Sequence, residues 1–224
     1  MIAVPVMIGS VENAAQVITL DGPAASGKSS VAQLVAEALG VPYVSSGLLY
    51  RAATCLAQSG GVAPTDEQAL LRLLNGVRVG LEARVGLPNR VTVGGDALPD
   101  ELLHSDAVDA GVSVVAQHPH VRAWVDARLR DLTGTFVVEG RDMGTAVFPN
   151  AAYKFYLDAP AEVRAARRTG ERRADLAGVA AALKRRDALD AAQLRPADDA
   201  QHIDTGKLSL QGVVAEVLRG LGRR

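Results

Sequence analysis

The apolar positions of this chain follow two rhythms, and the places where one gives way to the other outline the fold. Val17-Ile18-Thr19-Leu20 is a short, mostly β-branched run ended by the turn chemistry of Asp21-Gly22-Pro23. Beyond it, Val31, Leu34, Val35, Ala38 and Leu39 recur at i, i+3, i+4, i+7 and i+8. That spacing predicts one face of a helix starting at Lys28, with Gly40 closing it. Pro42 to Val44 reads as a second short strand, followed by a Ser45-Ser46-Gly47 turn and a helix from Leu48. Strand, glycine-rich loop, helix, strand is the opening of a doubly wound parallel sheet.

From Val77 to Leu98 the pattern alternates, with turns at Gly86-Leu87-Pro88-Asn89 and Gly94-Gly95-Asp96, which predicts a small antiparallel insert. Helical spacing returns at Pro119 with Val121, Trp124, Val125, Leu129 and Leu132 on one face. Thr135 to Val138 reads as a buried strand running into Glu139-Gly140-Arg141-Asp142, and Tyr153 to Leu157 as another. An arginine-rich segment and a helix to about Leu189 follow, then a strand ending at Ile203. Leu210, Val213, Val214, Val217, Leu218 and Leu221 predict a C-terminal amphipathic helix.

At 224 residues the chain has room for one large α/β domain with insertions. The 24 basic and 25 acidic residues nearly cancel, which argues against a protein that coats nucleic acid or an anionic membrane. The balance hides a basic run from Arg164 to Arg173. Lysine occurs only at positions 28, 154, 184 and 207, so arginine abundance by itself carries no functional signal. Cys55 is the single cysteine, which excludes an intramolecular disulfide; in its apolar helical setting it reads as a small buried hydrophobe. Residues 1–16 are mildly apolar without a basic start or a long apolar run, and are expected to be a loose leader, not a signal peptide. No apolar stretch approaches the length of a membrane span, so the expected location is the cytoplasm.

Gly22-Pro23-Ala24-Ala25-Ser26-Gly27-Lys28-Ser29 matches GxxxxGK[ST] between a strand and a helix, with Ser30 next in line. The glycines let backbone N–H groups wrap a phosphate at a helix N-terminus; Lys28 would reach the β- and γ-phosphates, and Ser29 would hold Mg²⁺. The pattern implies a nucleoside triphosphate and magnesium without saying what is done with them. A GTP-dependent switch needs an Asn-Lys-x-Asp guanine reader, and no asparagine here is followed by lysine. The DxxG string at Asp175 to Gly178 lies in a polar segment instead of after a strand. Thr135 to Glu139 is the only run able to serve as the acidic strand of a motor or pump. A small kinase needs an acceptor pocket and an arginine-bearing lid.

Three strings together resemble the bacterial cytidylate kinases: Ser46-Gly47-Leu48-Leu49-Tyr50-Arg51, Glu139-Gly140-Arg141-Asp142-Met143-Gly144-Thr145, and Lys184-Arg185-Arg186-Asp187 with Asp190. The resemblance runs from about Val17 to Leu221. It implies an α/β P-loop NTPase fold with a central parallel sheet flanked by helices, a small antiparallel insert and a short helical lid. It further implies one domain at 17–221, including an acceptor-binding insert at 76–110 and a lid region at 158–190. The implied reaction transfers the γ-phosphoryl group of ATP to CMP or dCMP. A kinase for another monophosphate such as UMP, or an ATP-binding regulator without kinase activity, are the alternatives.

Carried over, the resemblance implies that Arg51 and Arg141 clamp the acceptor phosphate, a fork-to-oxygen task suited to arginine. Ser113, Arg122 and Asp142 would read the base: a carboxylate accepts from the amino group of cytosine and is repelled by the O4 of uracil. Ser46 would line the same pocket, and Arg186 with Asp190 would hold the sugar. Arg164, Arg167 and Arg168 correspond to lid arginines that neutralise the transferring group, with Lys28, Arg141, Arg164 and Arg168 as the catalytic set. The partners implied are small nucleotides acting on a monomer, without nucleic acid or membrane.

Against these roles stand plainer ones. Arg122 falls on the polar side of its helix, where arginine is ordinarily solvated; Asp142 beside Arg141 could form a structural ion pair; Arg172 and Arg173 read as lid surface; Asp198-Asp199 and the four histidines lack metal-ligand spacing. Two positions depart from the family pattern. Ser45 stands where an acidic residue is usual, and Gln193 where an arginine is usual, with Arg195 available to take over that arginine's work.

Overall fold

The computed structural model describes residues 16–171 and 176–222. The leader up to residue 15, the pair Arg172 and Arg173, and the Asp175 end of the DxxG string lie outside them.

Five strands form one parallel sheet: β1 (Val17–Asp21), β2 (Tyr43–Ser45), β6 (Phe136–Gly140), β7 (Tyr153–Asp158) and β8 (Gln201–Asp204), in the spatial order β2-β6-β1-β7-β8. β1 sits in the middle because its VITLD run is buried on both faces, as parallel strands are. The second strand begins one residue later than the apolar pattern predicts. Pro42 lacks the N–H a ladder needs, so only its carbonyl joins in, accepting from Val137 N at 3.0 Å. β6 runs two residues further than predicted, to Gly140. Its last residues find partners on both sides, Glu139 opposite Ser45 and Gly140 opposite Asp21.

Alternation along the strands sorts side chains to the two faces. Val137, Ile18, Leu20, Phe155 and Leu157 pack with Val31 and Val35 of α1 (Lys28–Leu39) and with Val213 and Val217 of α9 (Leu210–Gly220). Phe136 and Val138 face the other way. They join the core built by α2 (Gly47–Ser59), α3 (Glu67–Asn75), α5 (Asp106–Val115) and α6 (Pro119–Arg130). α1 ends as expected at Gly40, whose φ of 67° lets its N–H reach the Ala36 and Glu37 carbonyls.

Antiparallel strands β3 (Val79–Glu82), β4 (Arg90–Val93) and β5 (Asp96–Ala97) make the small separate sheet that the alternating segment predicts. The rest of the 76–110 segment is largely helical: α4 (Asp100–Leu103) precedes α5, whose first residues fall within it. The hydrophobic pattern leaves α3, α4 and α5 unassigned. α5 carries Gly111 and several valines, poor helix formers by themselves, and is held by burial of Val108, Val112 and Val115 and by the Ser105 cap on Val108 N. Gly111 permits its close approach to α2, since a Cβ there would stand 3.0 Å from the Thr54 methyl.

The arginine-rich region is a pair of packed helices, α7 (Ala161–Glu171) and α8 (Leu176–Leu189), joined to the P-loop by a small cluster of Ala24, Ala165 and Leu183. Cys55 is buried, and burial raises its thiol pKa. No helix among the described residues is long and apolar enough to cross a membrane.

Because all five strands of the main sheet are parallel, the loops after β1, β2, β6, β7 and β8 gather at one edge. Strand order reverses around β1, and the crevice this leaves at the carboxyl edge is where such sheets bind ligands.

Candidate active site

The loop after β1 is wound by local geometry that few residues tolerate. Gly22 has a φ of 145°, and a Cβ there would lie 2.0 Å from the Leu157 carbonyl oxygen on the adjacent strand. Gly27 at 92° and Ala25 at 60° continue the turn on the left-handed side. α1 then starts with Lys28, without a side-chain cap and without an acidic residue in its first turn. Its first N–H groups are thus available to an anion.

Lys28 is only 6% exposed and donates from Nζ to the Pro23 carbonyl at 2.7 Å. Burial lowers its pKa to about 7; Arg141 pushes the same way, while Glu139 and Asp21 oppose.

Two clefts meet at Lys28 and Ser29. One, of about 660 Å³, runs along the loop from Ala25 through Ser30 and is closed by Arg167, Thr205 and Leu208. The other, of about 300 Å³, lies between the loop ends of β2 and β6 and the helices α2, α5, α6 and α8. It brings together Ser46, Arg51, Ser113, Arg122, Arg141, Asp142, Arg186 and Asp190, the whole set expected at the acceptor site, and with them Arg168 of the expected catalytic set. Gly22 and Pro23 lie outside both linings. Gly22 instead accepts from Arg141, and Pro23 borders a third cavity behind the loop.

Every arginine of the second cleft stands beside a carboxylate. Arg51 pairs with Asp109 at 2.7 Å and donates to the Leu103 carbonyl at 2.9 Å. Arg141 donates from Nε to Asp190 at 2.9 Å and from Nη1 to the Gly22 carbonyl at 3.0 Å. Arg186 stands 3.9 Å from Asp190; burial, then the repulsion of Arg141, lowers its pKa to about 10. Five arginines and Lys28 against Glu139, Asp142 and Asp190 leave the lining with an excess of positive charge, which suits a phosphate.

Two of the plainer readings are overturned. Arg122 does not lie on a solvated face: its side chain is 16% exposed, lies 5.6 Å from the Tyr50 ring centre and is hydrogen-bonded to Asp142. Asp142 therefore pairs with Arg122, across helix and loop, and not with its neighbour Arg141. Arg141 and Asp142 follow the end of β6 as neighbours in a loop, where adjacency in sequence does not decide which distant partner each side chain meets.

The three arginines expected in the lid separate into distinct settings. Arg168, 35% exposed, lines both clefts and stands 3.8 Å from Asp109. Arg167 donates to the Thr205 hydroxyl at 3.0 Å and also to the Ser26 carbonyl. Arg164 is absent from both linings. It is buried behind the loop, where its guanidinium donates to the carbonyls of Ala159 (2.8 Å) and Ala24 (3.0 Å) and to Asp187 (2.6 Å). It braces the P-loop, and its expected direct contact with the transferring group is not the arrangement seen here. The lining includes Gln193, while Arg195 is exposed and outside it, so Arg195 does not occupy the place of the missing arginine.

Several residues of the site escape the sequence reading. Glu139 lines the acceptor cleft and accepts from Ser45 Oγ at 2.7 Å; its place at the end of an apolar strand was the available signal. Asp21 accepts from Met143 N at 2.8 Å and Gly144 N at 2.7 Å, fastening the single π-helical turn Met143–Val147 to the base of the P-loop. Burial raises its pKa to about 6 against those two bonds. Asp109 sits on α5, which the hydrophobic pattern leaves unassigned, and Tyr50 belongs to the 46–51 string, which by itself assigns it no role of its own.

The family model described as cytidylate kinase matches residues 18–222. A cytidylate kinase of Deinococcus deserti is 57% identical over 201 residues, covering 90% of this chain and 96% of that protein. One of Thermus thermophilus is 56% identical over 207 residues, covering 92% and 99%. Among solved structures, an uncharacterized protein from Eubacterium ventriosum superposes with a TM-score of 0.52 at 12% identity, covering 93% of this chain and 99% of that one, which shows a shared fold.

Proposed function

The chain belongs to the cytidylate kinase family, and we propose that its two clefts carry the transfer of the γ-phosphoryl group from ATP to CMP or dCMP. The observation that carries this reading is the junction of the clefts at Lys28 and Ser29. On one side lies a phosphate loop; on the other, a cluster of arginines for a phosphate and the largely covered Asp142–Arg122 pair for a base. A donor and an acceptor bound there would meet end to end over Lys28.

In this mechanism an oxygen of the acceptor phosphate attacks the γ-phosphorus while the bond to the β–γ bridging oxygen breaks, giving ADP and CDP. The attacking group is already an anion, so no general base is required. Catalysis is positioning and charge neutralisation. Loop N–H groups and Lys28 hold the donor; Arg51 and Arg141 turn from their protein acceptors to the acceptor phosphate; Arg168, reaching both clefts, screens the group in transit. Arg186 and Asp190 hold the sugar, and Ser46 and Ser113 complete the base and sugar walls. Asp142, its carboxylate held by Arg122, accepts from the cytosine amino group and disfavours the uracil carbonyl. The Ser29 hydroxyl and the Glu139 carboxylate, hard oxygen donors lining one cavity, suit a magnesium ion, which when bound shares the charge of the β- and γ-phosphates.

The test is ADP release with ATP and magnesium, with CMP, dCMP, UMP, AMP and GMP compared as acceptors. Rapid turnover of CMP and dCMP over the rest supports the assignment. Preference for UMP or AMP removes the base reading of Asp142 and Arg122, and release that no acceptor stimulates removes the kinase reading altogether.

A further inference from the structure

Tyr50 closes the first turns of α2 at the wall of the acceptor cleft. The residue is 8% exposed, and its hydroxyl is inaccessible to solvent and has no hydrogen-bond partner in the protein. A buried hydroxyl left unpaired is costly, while a phenylalanine of the same shape would avoid that cost. The hydroxyl's partner is therefore either a group that enters the cleft or a buried water, for which the equally unpaired Asp126 Oδ1 offers a second anchor.

Its surroundings say which part of a ligand it would meet. The charges that act on it are, in order, those of Arg122, Asp126, Asp142 and Asp190. These are the proposed base-reading pair, the half-buried Asp126 one turn beyond Arg122, and the proposed sugar-side carboxylate. Arg51, one of the proposed phosphate-clamping arginines, follows Tyr50 directly in sequence but turns away to Asp109 and Leu103.

Resting on the proposed acceptor site, we infer that the Tyr50 hydroxyl is a binding group for the nucleoside half of the acceptor, hydrogen-bonding the pyrimidine ring between Asp142 and Asp190. Burial pushes the phenol's pKa well above its ordinary value, so it stays neutral and keeps a proton to donate. The ring N3 and O2 of cytosine are acceptors, complementary to that proton, while Asp142 takes the amino group. Tyr50 thereby supplies affinity for the pyrimidine ring, and Asp142 supplies the choice between pyrimidines.

The experiment is Tyr50→Phe, read by the melting temperature without nucleotide, the shift of that temperature with CMP, and KM for CMP and for ATP. The expected result is a melting temperature equal to or above wild type, a KM for CMP raised about three- to tenfold with a smaller CMP-induced shift, and an unchanged KM for ATP. A lowered melting temperature with unchanged KM for CMP would mean that the hydroxyl serves the fold through a buried water, and overturns the inference. A lowered melting temperature with both KM values raised marks general damage and overturns it as well. Failure of the underlying reading looks different: the wild-type protein itself would show neither turnover nor a melting shift with CMP, and the inference would fall with it.

Discussion

Arg141 and Asp190, forty-nine residues apart, are joined by a 2.9 Å hydrogen bond from Nε to Oδ2, and the same guanidinium donates to the Gly22 carbonyl at 3.0 Å. One side chain thus ties the end of β6 to both the phosphate loop and the end of α8. Asp190→Asn leaves Arg141 and Arg186 sharing a neutral acceptor. The expected outcome is a fall in kcat/KM for CMP of about ten- to a hundredfold, with a much smaller change in KM for ATP. Steady-state kinetics with each nucleotide varied in turn checks it.

Asp142 is 6% exposed and bonded to Arg122, so its carboxylate is held in a fixed orientation with little water to replace it as a partner for a bound base. Asp142→Asn removes the charge that separates an amino group from a carbonyl at the same ring position. The ratio of kcat/KM for CMP over UMP should drop by at least about tenfold, mostly through loss of CMP activity. An unchanged ratio would show that discrimination resides elsewhere in the cleft.

Lys28 has its pKa lowered to about 7, first by burial and then by Arg141. Phosphates placed against it favour the ammonium form and raise that pKa. At about pH 8, ATP binding should therefore take up close to one proton, with uptake fading as pH falls below about 6 because the lysine is already charged. Calorimetry in buffers of different ionisation enthalpy measures it. Lys28→Met should bind ATP more weakly and take up no proton.

Asp21 is displaced in the opposite sense, raised by burial from 3.8 to about 6 despite its two backbone bonds. A raised carboxyl pKa means the fold binds the proton better than the unfolded chain does. Its contribution to stability is fully present below about pH 4 and is lost as pH rises through about 6. The stability of wild type relative to Asp21→Asn should thus decline between about pH 4 and pH 7, by an amount on the order of 3 kcal/mol. Denaturant titrations across that range check both sign and size; a difference that grew with pH would refute it.

Arg164 is expected to affect stability before chemistry. Replacing it with methionine removes three hydrogen bonds and leaves Asp187 and two carbonyls behind the P-loop unpaired. Breaking from one side a pair whose arginine is buried and whose carboxylate is partly exposed costs up to about 3–5 kcal/mol. The melting temperature should fall by many degrees, and Arg168→Met, altering a half-exposed side chain, should leave it nearly unchanged while lowering kcat.

Much of the frame was legible in the amino-acid order. β1 and α1 are written in a four-residue apolar run and a helical apolar stripe, and the P-loop between them in a spacing that backbone geometry demands. Gly22 shows why: with a carbonyl 2.0 Å from where its Cβ would stand, no other residue fits. α5 was illegible by the same means, because its helix is held by burial against α2 and not by its own propensities. Arg164 and Arg168 are four residues apart on one helix, alike in sequence, yet one is a buried brace and the other faces both clefts.

The sequence by itself thus determined the class of fold, the phosphate loop and which residues gather around the second cleft, since each of these follows from local periodicity, turn geometry or a recognisable string. Only the tertiary structure decided who holds whom: Asp142 with Arg122 instead of Arg141, Arg141 with Asp190, Gln193 and not Arg195 at the cleft. The reason is physical. Whether a side chain turns toward a partner depends on strand register and on the packing of distant helices, and those relations join residues far apart in the chain.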